Sequence, residues 1–153
     1  NDYYGFEKGD MVIKGIADLL VDVVQPGGHG DQFRFVGHIG GDDFIVISRP
    51  HASLQLCEQI IDRLQRLLPQ FHGEKEFVKG CYQATDRQGQ LRCISLLSLS
   101  IGIVSTEECT VSSYGELAFL ASGVKRAAKQ KKGSAIVSNR RGAAQALLPC
   151  MAA

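Results

Sequence analysis

Phe33-Arg34-Phe35-Val36-Gly37-His38-Ile39-Gly40-Gly41-Asp42-Asp43-Phe44-Ile45-Val46-Ile47 is the stretch whose reading decides the fold. Two apolar runs rich in strand-forming residues flank a Gly-Gly-Asp-Asp centre. That pattern predicts a hairpin, Gln32 to Ile39 and Asp43 to Ser48, closed by a two-residue type I′ or II′ turn at the glycines. Glycine tolerates positive φ and carries no side chain, so the backbone N–H groups there stay open to a ligand. Asp42 and Asp43 follow. In a regular strand they point to opposite faces, whereas at a turn they can converge. Two carboxylates this close resist ionising together unless a cation lies between them. A hard divalent ion, shared with a substrate phosphate, relieves that conflict. Turn chemistry alone also accounts for every residue of the centre, so a plain solvated turn stays open on the hairpin by itself.

Outward from the hairpin, the pattern alternates helices with strand pairs. Upstream, Asn1 to Asp10 reads as a polar loop with Asp10 as a helix N-cap. Val12, Ile16, Leu19, Leu20 and Val23 then recur at helical spacing. Pro26, Gly27, Gly28 and Gly30 break the chain before the hairpin. Downstream of Pro50, Leu56, Cys57, Ile60, Ile61, Leu64, Leu67 and Leu68 mark a second amphipathic helix that stops near Pro69. Phe77 to Ala84 reads as a strand, residues 86–90 as its turn, and Leu91 to Ser105 as one long strand. In the latter, Leu97, Leu99, Ile101 and Ile103 alternate with small residues. A third helix is predicted from about Ser113 to Lys131, with Leu117, Leu120, Ala121, Val124, Ala127 and Ala128 on one face. Its end is crowded with lysines that complement the helix dipole, and Gly133 is its expected C-cap. A last strand covers Ser134 to Ser138. The sum is an α+β fold, one mostly antiparallel sheet with helices on its faces. One domain over residues 1–138 suffices, followed by a tail, 139–153.

The 153 residues carry 17 Lys and Arg against 16 Asp and Glu, a net charge of +1. Bulk charge therefore argues against a dedicated nucleic-acid or membrane-surface protein. The lysines between Lys125 and Lys132 have no interleaved aromatics and sit in a chain neutral overall, which argues against a nucleic-acid surface there. No apolar run approaches the roughly 20 residues that span a bilayer. Five cysteines and four histidines show no zinc spacing. Cys57 falls on an apolar stripe and reads as a small buried hydrophobe. The cysteine set fits a reducing cytosol, and the chain, opening on Asn1, reads as a piece of a longer one.

Four pieces together resemble the GGDEF domain, the diguanylate cyclase family of bacterial signalling proteins. They are Asn1-Asp2-x-x-Gly5-x-x-x-Gly9-Asp10, Gly40-Gly41-Asp42-Asp43-Phe44, Ser98-Leu99-Ser100-Ile101-Gly102, and Ala128-Lys129. The resemblance runs from Asn1 to about Val137. It implies a sheet like the palm of nucleotidyl cyclases and polymerases, with a ferredoxin-like core. It also implies the joining of two GTP molecules into cyclic di-GMP by two facing domains in a transient homodimer, in the cytoplasm. The implied roles are Asn1 and Asp10 on the guanine edge, and Gly40 and Gly41 beside the phosphates. Asp42 binds Mg²⁺, Asp43 binds metal or assists deprotonation of the 3′-hydroxyl, and Lys129 meets the terminal phosphates. Seen alone, Asp10 is equally a helix cap and Lys129 a dipole-complementing lysine.

Several departures bear on activity. Asp43 stands where the family has Glu, placing its carboxylate about 1 Å further back, a shift that can cost ~10²-fold in rate. Phe6 replaces a histidine of the first loop, His38 an arginine before the signature, and Ser134 an arginine after the last helix, so a bidentate phosphate donor is missing. The family's product-inhibition pair, Arg-x-x-Asp, is reversed here as Asp31 to Arg34, predicting no inhibition through that site. The strand carrying the family's other metal carboxylate precedes the first loop and lies outside this sequence. Two functions follow as expectations: a GTP-binding cyclase of weak or uncertain turnover, or a catalytically inactive domain that binds GTP, or only a partner domain, and regulates an attached cyclic di-GMP phosphodiesterase (EAL) or other partner domain.

Overall fold

The computed structural model describes residues 5–24, 34–85, 88–140 and 143–147. The chain divides into two units, residues 1–49 with 58–96, and residues 50–57 with 97–153. The class is α+β, with four helices and seven strands among the described residues. Three of the four strand pairings are antiparallel. The strands pair as three small sheets, β1-β2, β3-β4 and β5-β6-β7.

In the first unit, α1 (Gly5–Val24) buries Ile16, Leu19, Leu20, Val23 and Val24. That is the stripe its three- and four-residue spacing predicts, with Val12 half-buried at its upper end. The helix begins five residues before Asp10, so Asp10 lies inside it and is not its N-cap. The helix packs on β1 (Phe35–Gly40), which pairs with β2 (Asp43–Ile47). Arg34 Nη1 donates to the Val24 carbonyl at 3.4 Å, placing a cation at the negative end of α1.

Helix α2 (Pro50–His72) starts on a proline, whose missing N–H costs nothing in the first turn. It continues through Pro69, past the expected stop. The ring forfeits one backbone bond there, but Phe71 and His72 are buried, and their packing holds the last turn. The Phe71 ring lies where a Cβ on Gly15 of α1 would stand, 2.8 Å from that point. Ile60, Ile61 and Leu64 are buried as their stripe requires.

The expected strand at Phe77 is instead a short helix, α3 (Glu74–Lys79), preceding β3 (Cys81–Thr85). Glu74 and Glu76 sit in its first turn and Lys79 in its last, the charge order that suits the helix dipole. Gly80, at φ 73°, ends it in the left-handed conformation with its N–H on the Phe77 carbonyl. β3 pairs with β4 (Leu91–Ser95), and Cys81 and Cys93 are joined by a disulfide. Cys57 is buried, as its stripe predicts, and Cys109 is half-buried; neither is part of the disulfide.

The second unit takes the first residues of α2, then β5 (Ser100–Ile103), α4 (Tyr114–Lys129), β6 (Ala135–Arg140) and β7 (Ala143–Leu147). The single strand expected over 91–105 is two. β4 turns back on β3, whereas β5 runs parallel to β6, so the segment changes partners between Ser95 and Ser100. Residues Leu97, Leu99, Ile101 and Ile103 keep their alternation as half-buried positions. Val124 and Ala128 of α4 and Val137 of β6 form the core, with Val104 and Ala127 packed against it. Leu117 and Ala121, on the same predicted face, are exposed. Ser113 caps α4, its hydroxyl accepting the Glu116 N–H at 3.1 Å. The helix stops at Lys129 with Gln130 as C-cap, and Gly133 lies beyond in a positive-φ turn at 74°. β6 continues past Ser138 and pairs with β7 from Ile136↔Leu147 to Arg140↔Ala143, so residues of the expected tail join this sheet. No described helix is long and apolar enough to cross a membrane.

Candidate functional site

The β1–β2 hairpin builds the site. Phe35 faces Ile47, Val36 faces Val46, Gly37 faces Ile45 and His38 faces Phe44. The register then slips by one residue, and Gly40 pairs with Asp43, leaving Ile39 as the extra residue of a bulge. A bulge raises local twist and re-aims the side chains beyond it. The two residues between the paired positions are Gly41 and Asp42, one step later than the Gly-Gly turn read from sequence. Gly40 has φ 147° and Gly41 φ 58°, both in the region other residues avoid. A Cβ added to either would meet no atom within 4 Å. Backbone conformation, not crowding, therefore selects glycine, and the space beside the turn is open.

Asp42 is exposed at the turn and Asp43 half-buried as the first residue of β2. One side chain anchors the turn: His38 Nε2 lies 3.0 Å from the Gly41 carbonyl oxygen. The oxygen can only accept, so Nε2 carries the proton. The imidazole stacks on Phe44, its cross-strand partner, with centroids 4.7 Å apart and planes at 27°.

The hairpin thus brings Gly40, Gly41, Asp42 and Asp43 into one turn. Asp10 is exposed in the second turn of α1, on the helix that packs against β1. Lys129 is the exposed last residue of α4 and belongs to the second unit. Asn1, and Asp31 of the reversed inhibition pair, lie outside the described residues. Ser134, where the family carries arginine, accepts the Leu99 N–H through its hydroxyl at 3.1 Å. The anchoring bond of His38 escaped sequence reading, because nothing in the order His-Ile-Gly-Gly signals a side chain folding back across a bulge.

The donor set suits a hard divalent cation in part. Asp42 and Asp43 offer carboxylate oxygens beside open space, and ions such as Mg²⁺ complete their shells with water and substrate phosphate. Among the described residues no group of three or more His, Cys, Asp or Glu side chains gathers to hold an ion by itself.

The family model described as diguanylate cyclase, GGDEF domain, matches residues 1–135. No curated protein and no solved structure matches the chain. A match over that span, carried through the hairpin with its acidic turn, places the chain in the GGDEF family, the diguanylate cyclase domain of cyclic di-GMP signalling.

Proposed function

We propose that the chain is a GTP-binding GGDEF domain with diguanylate cyclase chemistry of weak turnover. The observation that carries this reading is the Gly40–Asp43 turn. It joins two positive-φ glycines, open space and two adjacent carboxylates in a chain of the family. Members of the family bind GTP and act as dimers.

In the proposed reaction the 3′-hydroxyl oxygen of one GTP attacks the α-phosphorus of the other. A P–O bond forms, the bond to the β-phosphate breaks, and pyrophosphate leaves. The hydroxyl proton passes to a base, for which Asp43 is the candidate. A second such transfer closes the ring of cyclic di-GMP. Phosphoryl transfer depends on positioning and charge neutralisation more than on covalent catalysis by the protein. Asp42 and Asp43 would hold Mg²⁺, which supplies charge neutralisation at the phosphates when bound. Backbone N–H groups at Gly40 and Gly41 would approach phosphate oxygens, as successive amides in a turn do. Asp10 and Asn1 would accept and donate along the guanine edge. Lys129 would meet the terminal phosphates as a point charge.

A second reading has a specific observation behind it. Ser134 holds the place of the phosphate-binding arginine, and its hydroxyl is committed to the Leu99 amide. Loss of one clamping arginine can cost orders of magnitude in phosphoryl transfer. On this reading the domain binds GTP without turning it over, and regulates an attached EAL or sensory domain in the cytoplasm.

The deciding experiment incubates the full-length protein with GTP and Mg²⁺ and analyses the products. Cyclic di-GMP that disappears in Asp42→Ala selects the cyclase. Nucleotide binding without product selects the regulatory domain. Failure to bind GTP removes both.

A further inference from the structure

We propose that His38 is a positioning residue that locks the Gly41–Asp42 peptide, so that the Asp42 N–H is presented to a phosphate oxygen. The inference rests on the nucleotide-binding reading above and deepens it. A trans peptide is planar, with its C=O and N–H on opposite sides. Fixing the Gly41 oxygen therefore fixes the next N–H. His38 Nε2 donates to that oxygen at 3.0 Å. The Asp42 N–H accordingly points away from the imidazole.

Crowding at the two glycines supplies no such restraint. A Cβ on Gly40 or Gly41 would meet no atom within 4 Å, so no neighbour crowds this backbone into place. Both residues occupy conformations open chiefly to glycine, the residue with most freedom to leave them. The register slips at Ile39, one step before the Gly40↔Asp43 pair that closes the turn. The imidazole, by contrast, is itself held, stacked on Phe44 across the hairpin. A restrained ring bonded to a peptide between glycines that no side chain crowds makes the ring a determinant of that peptide's orientation. Preorganising a donor before the ligand arrives lowers the ordering cost of binding.

The test uses the full chain with two variants. His38→Phe keeps an aromatic ring over Phe44 and removes the donor. His38→Gln restores a donor able to reach the carbonyl. The first readout needs no nucleotide: the amide resonances and fast-motion order of Gly41 and Asp42 by ¹⁵N NMR. His38→Phe is expected to shift both amides and lower their order, and His38→Gln to restore much of each. The second readout is GTP affinity with Mg²⁺ by calorimetry. His38→Phe is expected to weaken it about tenfold, the scale of one hydrogen bond, with His38→Gln recovering most of the loss. Unchanged Gly41 and Asp42 amides in a folded His38→Phe protein would overturn the proposal, as would equal weakening of GTP binding by both variants. If the wild-type chain binds no GTP, the nucleotide reading fails, while the nucleotide-free spectra still decide whether His38 orders the turn.

Discussion

Ser134 and Leu99 are joined across the start of the parallel β5–β6 pairing, and Ala135 makes a second bond to the same leucine. The Ser134 hydroxyl accepts the Leu99 N–H at 3.1 Å, and the Ala135 N–H next to it donates to the Leu99 carbonyl at 2.9 Å. The serine therefore extends the ladder one step beyond Ser100↔Ala135. Ser134→Ala should leave the half-buried Leu99 N–H without this partner and cost about 1 kcal/mol, read as a lower urea midpoint at unchanged m-value. A variant as stable as wild type would show the bond to be dispensable.

Gly102 belongs to the Ser98–Gly102 motif, and its role here is close packing. A Cβ at that position would stand 2.6 Å from Val124 Cγ2 and 2.9 Å from the Lys125 backbone nitrogen. The backbone atom cannot swing aside, so α4 must move off β5. Gly102→Ala should destabilise the protein by roughly 1–3 kcal/mol, the range for overpacking. Thermal unfolding checks this, and a neutral result would mean that α4 shifts freely.

How much of this was legible beforehand depends on the kind of signal. Burial of Ile16, Leu19, Leu20, Ile60, Ile61 and Leu64 follows from periodicity, because a helix that buries one face must repeat every three to four residues. The hairpin followed from its glycines, but the bulge at Ile39 did not. A one-residue slip is fixed by pairing energetics along the whole ladder, and it moved the turn onto Gly41 and Asp42. The run from Leu91 to Ser105 looked like one strand because alternation does not reveal a change of partner. α3 was misread although its charges were in the right order, since Phe77 and Val78 also suit a strand. Of the site, residue types were legible, whereas the bond from His38 to Gly41 required coordinates.

Cys81 and Cys93 are diagonal neighbours on one face of the β3–β4 hairpin, with Cα atoms 5.8 Å apart. That separation lies within the range a disulfide bridges. The bond closes a loop with a sequence separation of 12. Chain-entropy arguments give such a loop about 3 kcal/mol of stabilisation. Reduction should lower the thermal midpoint of the wild-type protein and leave that of Cys81→Ser unmoved. If reductant shifts both alike, the effect arises elsewhere.

Glu116 closes the N-terminus of α4. Its carboxylate accepts from the Ser112 hydroxyl at 2.7 Å and the Ser112 N–H at 2.8 Å. The side-chain bond first, then the backbone bond, hold the carboxyl below its ordinary value of 4.5. Because the folded state favours the ionised form, this group adds stability above the unfolded value and loses it as pH falls through the lowered folded one. The gap in thermal midpoint between wild type and Glu116→Gln should therefore be present at neutral pH and close in acid below 4.5. A gap that widens in acid would reverse the assignment. Titration of the Glu116 carboxyl carbon by NMR gives the same answer directly.

Arg34 is the described half of the reversed inhibition pair, and its guanidinium already serves α1. It donates to the Val24 carbonyl at the helix C-terminus, where a cation is favoured by up to about 1 kcal/mol. A side chain committed there, with the charges reversed relative to the family's Arg-x-x-Asp, is poorly placed to clamp product phosphates. Arg34→Ala should thus cost a fraction of a kcal/mol to 1 kcal/mol in urea unfolding, and should leave cyclic di-GMP affinity of the full chain unchanged in calorimetry. Tight binding of cyclic di-GMP that is lost on Arg34→Ala would instead make this arginine a product ligand and reverse the reading of the pair.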